Sequence, residues 1–345
     1  ENRLSLMQYL INRLLFRGHN GKLPYWIKSY WMYLKPMPRR EARLKAMLEE
    51  AAGRPDYEYM CRRADHYCLL RERRELPSEA FRIGEYVLDK KERMGRLRYF
   101  PSEPSSKSYF FDSYRVMRWF PRGFRWMHHF GDVIDTKPFP CITKTRPLGG
   151  DITNNVLLKL DANRHFTFVR DTIPVREKEP RLICRCSINN RPQRLMLFQK
   201  YFGEPWCDIA EVTPNEVVNP REWQGDKLSL YAHLRFRYIA CFEGNDVASN
   251  LKWVMSSNSL AVMSRPTCES WFMEGHLIPN YHYILVKDDL SDLKERLDYY
   301  TAHPDEAEEI VRHAHEYVSQ FLDGRREELI SVMVADRYFR FTGQG

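Results

Sequence analysis

Four residues, Glu243-Gly244-Asn245-Asp246, break an otherwise apolar stretch with turn chemistry. They follow a run at 238–242 with the length and β-rich composition of a buried strand. Asn245 or Asp246 suits the N-cap of a helix whose apolar positions recur at Val247, Leu251 and Val254. Ser256-Ser257-Asn258-Ser259 stops that helix before a second apolar run at 260–263. Strand, turn, helix, strand is a βαβ unit. Its turn aims backbone N–H groups and a positive helix end at an anion such as a nucleotide diphosphate. One glycine falls short of a G-x-G-x-x-G fingerprint, so an ordinary crossover without a ligand is the competing reading. A second group of candidates is the carboxylates near the ends of apolar runs. Asp132 follows Phe130-Gly131 and Asp171 follows the run at 166–169, with Asp135 and Asp151 between them. Each can take a proton as a general base, and each can equally end a strand or cap a helix.

The elements that would position these groups alternate in the second half of the chain. Strands are expected at 181–186 and 207–212, helices at 191–202 and within 222–237, and then the central βαβ unit. A strand at 281–286 and helices at 290–300 and 304–322 follow. Strands spaced by helices predict a parallel sheet of Rossmann type. A polar, proline-bounded stretch at 172–180 reads as a linker. The expected division is 1–172, 173–324 and a tail, 325–345, packed back on the first domain. In the first half, residues 5–50 read as helices, with further helices at 39–52 and 77–86.

The chain has 345 residues, enough for two cores, and a net charge of +8 that favours an anionic partner. Trp26, Tyr30, Trp31 and Tyr33 lie among Lys22, Lys28 and Lys35, which suits a helix on an anionic membrane surface. Packing of those rings on the domain, with the lysines outside, is the alternative. The stretch 109–130 is again aromatic and basic, a mixture found where rings stack on sugars or nucleobases, and also in a buried sheet edge with snorkelling arginines. No nucleic-acid module signature accompanies it, so nucleic acid is not an expected partner. Eight cysteines without C-x-x-C pairs read as free thiols; Cys184 and Cys186 are the only close pair. The sequence begins without signal-peptide features and no run approaches ~20 apolar residues, so a cytoplasmic or peripheral inner-face location is expected.

The runs E-G-N-D-V-A-S-N-L-K-W-V-M-S-S-N-S and W-F-M-E-G-H-L-I-P-N-Y-H-Y-I-L-V-K-D-D-L-S-D-L resemble the C-terminal half of glycosyltransferase family 90. The resemblance spans roughly 125–322 and is strongest to the bacterial lipopolysaccharide-modifying branch. It implies a GT-B fold, α/β with two Rossmann-like domains facing across a cleft, with extra N-terminal helices here. It also implies an inverting transferase that moves a sugar from a UDP-sugar to a hydroxyl of a lipopolysaccharide core or similar glycan. In the family an Asp ending a short strand is the general base, and Asp132 stands in the matching place, with Lys144 of a Thr-Lys pair on the acceptor side. Arg185, Ser187 and, with a one-residue offset, Arg194 match residues that contact the diphosphate. Glu243, Gly244, Asn245, Asp246, Ser249 and Lys252 belong to the second donor turn, and Glu269 is a candidate for the ribose. Two departures stand out: Cys184 and Cys186 replace a Trp and a Gly, and Asn250 stands where many relatives have an Arg. No D-x-D occurs, so neither metal nor other cofactor is expected. A protein O-glycosyltransferase and a non-catalytic nucleotide- or nucleic-acid-binding protein are the alternatives.

Overall fold

The computed structural model describes residues 22–86, 88, 107–188, 191–212 and 219–345. The elements run in chain order as follows. Helices α1 (Leu23–Leu34), α2 (Arg40–Ala52) and α3 (Tyr57–Tyr67) come first, then strand β1 (Phe81–Arg82), helix α4 (Lys107–Met117) and strands β2 (Arg125–Trp126) and β3 (His128–His129). Strands β4 (Cys141–Thr143), β5 (Thr145–Pro147) and β6 (Asn155–Leu157) precede the single turn α5 (Ala162–His165). Strand β7 (Glu179–Cys186), helix α6 (Pro192–Tyr201), strand β8 (Cys207–Glu211) and the turn α7 (Leu230–His233) follow. Next are β9 (Phe236–Ala240), α8 (Leu251–Met255), β10 (Leu260–Met263), β11 (Cys268–Ser270) and β12 (Ile284–Leu285). Helices α9 (Leu293–Ala302), α10 (Pro304–Ser319) and α11 (Gly324–Phe341) end the chain. The expected mixed α/β architecture is present. The helical reading of 5–21 lies outside the described residues.

The described chain forms two compact units. One holds 23–164, 267–275 and 321–345; the other holds Lys22, 165–266 and 276–320. The second is built on a five-stranded sheet in the order β12-β10-β9-β7-β8, every neighbouring pair parallel. Numbered by appearance, its strands run 2-1-3-4-5, a doubly wound order that reverses direction between β7 and β9. Strands β9 and β10 are buried along their whole length, as expected for a sheet covered on both faces. Leu182, Tyr238, Ala240 and Val262 meet Leu197 and Phe198 of α6, Leu293 and Leu297 of α9, and Ile310 of α10 in one core. Each such aliphatic side chain contributes about 1.5–3 kcal/mol by leaving water.

The other unit carries a smaller parallel sheet, β3-β4-β6, and two antiparallel pairs, β1-β2 and β5-β11. Helix α11 packs on α2, α3 and α4 within it. Its start is capped by Asp323, which accepts from the N–H groups of Arg325 and Arg326. The aromatic stretch at 109–130 supplies this unit's core. Tyr109, Phe110, Phe111, Phe120, Trp126 and Phe130 are all buried, so packing accounts for those rings.

Three expected elements differ, each because distant partners claim the backbone. Residues 77–86 are not helical: Ile83 and Gly84 donate to Phe124 and Arg122, leaving β1 and a 3-10 turn, Ile83–Glu85. The helix expected within 222–237 is present but is the single turn α7, because upstream Gly225 donates to Glu211, at a position where a side chain would meet Ala210 Cβ at 2.6 Å, and β9 begins at Phe236. The helix after the glycine turn is the five residues of α8, with Asn250 rather than Asn245 or Asp246 at its start. Asn250 is held there by an Nδ2–H bond to the Ala240 carbonyl at 2.9 Å.

Candidate active site

In the five-stranded unit, the C-terminal ends of β7 and β9 lie side by side where the strand order reverses. That is the position at which doubly wound sheets take their ligands. Arg194, in the first turn of α6, spans the two ends. Its Nη1 donates to the Ser187 carbonyl and its Nη2 to the Phe242 carbonyl, both at 2.9 Å. A Cβ at Gly244 would stand 3.2 Å from Arg194 Nη2, a tight contact to which the guanidinium would have to yield by a few tenths of an ångström. The Ser187 hydroxyl is buried and has no hydrogen-bond partner among the described residues, a state that costs on the order of 1–3 kcal/mol unless a ligand fills it. A fixed guanidinium beside an unanswered hydroxyl is suited to phosphate oxygens.

The remaining residues expected at the donor are arranged differently. Arg185 is held by Asp208, through its carboxylate at 2.7 Å and its carbonyl at 2.9 Å. Asp246 is buried and its carbonyl takes the Gly244 N–H, while Asn245 and Ser249 are exposed and Glu243 is half-buried. Lys252 is fully buried within α8. The five residues of α8 carry almost no macrodipole, so the positive charge at this crevice comes from Arg194 and the start of α6 rather than from α8.

Asp132 belongs to the other unit. Gly131, at φ +118°, turns the chain through a conformation open to glycine and delivers Asp132 from the buried Phe130 to a position with 26% of its side chain exposed. The loop beyond it is pinned by Thr145, whose Oγ1 accepts from the Val133 N–H and donates to the Val133 carbonyl. Lys144, between β4 and β5 and 2% exposed, reaches Asp132 Oδ1 at 2.5 Å. Arg164 stands 3.9 Å from the same oxygen while its Nε bonds Asp161 at 2.9 Å. A carboxylate held in this way yet open to solvent can receive a proton from an incoming hydroxyl. The other carboxylates are occupied or peripheral. Asp171 is buried against Lys178 at 2.6 Å and accepts from the Asn258 N–H. Asp135 pairs with Lys137, and Asp151 makes an exposed turn with Thr153.

Glu269 is in the same unit as Asp132. It lies opposite Arg146 across the β5-β11 pair, and Oε1 accepts from Arg146 Nε at 2.9 Å and Nη2 at 2.7 Å. His66 adds a contact to Oε2 at 3.1 Å. The carboxyl is pushed up by burial, which His66 and Arg146 outweigh to leave it below the usual range. Arg146, His66 and Arg164 carry no sequence signal, because their partners come from remote positions or from outside any motif.

Residues 169–332 match the model described as glycosyl transferase family 90, a span that holds the Ser187–Arg194 crevice and begins after Asp132 and Lys144. The O-glucosyltransferase LpsA of Dichelobacter nodosus is 33% identical over 324 residues, covering 93% of this chain and 92% of that protein. The chain belongs to glycosyltransferase family 90. As a family 90 member it is a glycosyltransferase. All eight of its cysteines are free thiols. Among the described residues no group of three or more His, Cys, Asp or Glu could hold a metal ion, and no helix is long and apolar enough to cross a membrane.

Proposed function

We propose that this family 90 enzyme is an inverting, metal-independent transferase of GT-B organisation. It would move a sugar from a UDP-sugar to a hydroxyl of a lipopolysaccharide core or a related surface glycan. The observation that carries the reading is the crevice at the strand-order reversal, where Arg194 is fixed beside the unpartnered Ser187 hydroxyl. In this reaction the acceptor oxygen attacks the anomeric carbon from the face opposite the diphosphate. Asp132 takes the hydroxyl proton, the bond from the anomeric carbon to the phosphate oxygen breaks, and UDP departs with its charge balanced by Arg194 and the Ser187 hydroxyl. No protonation of the leaving group is needed, so one carboxylate suffices. A glucosyl donor and a hydroxyl acceptor are supported by the similarity to the O-glucosyltransferase LpsA, and the lipopolysaccharide class by the resemblance to the bacterial branch of the family. The GT-B arrangement and the absence of a metal requirement rest on the family resemblance and on the lack of a D-x-D pair.

A thermal-shift titration against UDP- and GDP-sugars tests the donor. UDP-glucose raises Tm, by about 2.7 kcal/mol of added stability at a hundredfold excess over Kd, and GDP-sugars do not. A chain stabilised only by GDP-sugars, or by neither, overturns the donor assignment. Transfer that persists undiminished in excess EDTA supports the metal-free reaction, and a strict Mg or Mn requirement refutes it.

A further inference from the structure

Helix α1 has two apolar faces, and only one is used. The inner face is seated on α4: the Tyr25 hydroxyl donates to Asp112 at 2.9 Å, Ser29 is buried, and the rings of Trp26 and Tyr33 pack on Phe111 and Phe110. Arg118 fixes its end by donating to the Met32 carbonyl at 2.7 Å. The outer face presents Leu23, Ile27, Trp31 and Leu34, spaced four, four and three residues apart, at 59%, 62%, 62% and 75% exposure. Large side chains left this open at helical spacing form one continuous stripe, which a soluble surface rarely carries without an occupant.

The charge around the stripe says what kind of occupant fits. Residues 23–40 contain Lys28, Lys35, Arg39 and Arg40 and no acidic residue. Lys28 and Lys35 are exposed, and the Lys35 ammonium lies 4.7 Å from the Trp31 ring centroid. An apolar stripe with a tryptophan, bordered by cations on a helix already held rigid from behind, is complementary to the outer few ångströms of an anionic leaflet. We propose that α1 docks in the plane of an anionic lipid bilayer, inserting Leu23, Ile27, Trp31 and Leu34 among the headgroups while Lys28 and Lys35 pair with lipid phosphates. This surface is separate from the sugar-nucleotide site and does not depend on the proposed reaction.

Co-sedimentation of the full chain with phosphatidylcholine vesicles, with and without about one-third phosphatidylglycerol, tests it in the absence of any sugar nucleotide. The expected result is binding at least about tenfold tighter to the anionic vesicles. The exposed triple variant Ile27→Ser, Trp31→Ser, Leu34→Ser should keep the wild-type Tm and lose about tenfold or more of that affinity. Lys28→Gln with Lys35→Gln should remove the preference for anionic lipid. Absence of vesicle binding by the wild type, or equal binding by the triple variant at unchanged Tm, overturns the proposal. So does a wild-type dimer that ignores vesicles and that the triple variant dissolves, since the stripe would then belong to a second copy of the chain.

Discussion

Ser187 pairs a folding penalty with a binding opportunity at one atom. Its hydroxyl has been taken out of water without a partner among the described residues, so deleting it relieves a cost to the folded state while removing a donor for phosphate. Ser187→Ala is therefore expected to keep or slightly raise Tm and to weaken UDP-sugar binding by about tenfold or more, measured by calorimetric titration. A matching fall in Tm would make Ser187 an ordinary structural residue. Asp132→Asn is expected to abolish turnover while leaving donor affinity within about twofold, because the amide keeps the shape and cannot take the proton. Full activity in that variant removes Asp132 from the reaction. Ser187, Arg194 and Gly244 were legible as candidates through motif likeness. That Arg194 joins Ser187 to Phe242 was not, because the second bond spans 48 positions and ends on a carbonyl that any residue provides. Arg164 beside Asp132 is hidden for the same kind of reason: its approach is created by the folding of the loop before it.

The elements that the sequence announced are those whose hydrogen bonds and burial are local or uniform. Runs such as Leu182–Cys184 and Leu260–Met263 are buried on both faces and therefore continuous in the sequence, and α10 shows its Pro304-Asp305-Glu306 start. Residues 77–86 misled, and the helix within 222–237 is short, because polar backbone groups there are claimed by Arg122, Phe124 and Glu211, and no local pattern encodes such partners. Helices α3 and α11 are joined by another pairing without a sequence signal. Arg63 Nη1 donates to Glu327 Oε1 at 2.7 Å with both side chains 3% exposed, Trp271 Nε1 donates to Glu327 Oε2 at 2.6 Å, and Tyr67 stacks on Trp271 at 3.8 Å. Burial pushes the Glu327 carboxyl up, and Arg63 and Lys159 outweigh that and hold it below its usual range. Glu327→Leu would leave the Arg63 charge buried without its partner, a change expected to cost about 3–5 kcal/mol in denaturant unfolding. A loss under about 1 kcal/mol would mean that the two tyrosine hydroxyls bonded to Arg63 suffice.

At the scale of the whole molecule, buried histidines set an acid limit. His128 is enclosed between the rings of Phe81 and Phe130, and burial drives its pKa down to about 3. His129 falls to about 4, again chiefly through burial. Below an unfolded pKa of about 6.5 the unfolded chain binds protons that the folded chain refuses, so stability rises with pH across that window and is lost as pH falls. From pH 6.5 to pH 5 the cost is about 2 kcal/mol for His128 alone. His128→Phe, which keeps an aromatic ring at the site, is expected to reduce the fall in Tm between pH 7.5 and pH 5. An unchanged fall would assign the acid sensitivity elsewhere.

The unit that holds Asp132 is threaded from three separated stretches, 23–164, 267–275 and 321–345. Its enclosed cations Arg63 and Arg146 come early, and their carboxylates follow 264 and 123 positions later. During synthesis the Arg146 guanidinium must therefore stay hydrated until residue 269 has emerged, and the Arg63 guanidinium until residue 327 has, so this unit can close only after Glu327 has left the exit tunnel. A chain truncated before Glu327 would enclose the Arg63 charge without its carboxylate, however intact the residues ahead of it.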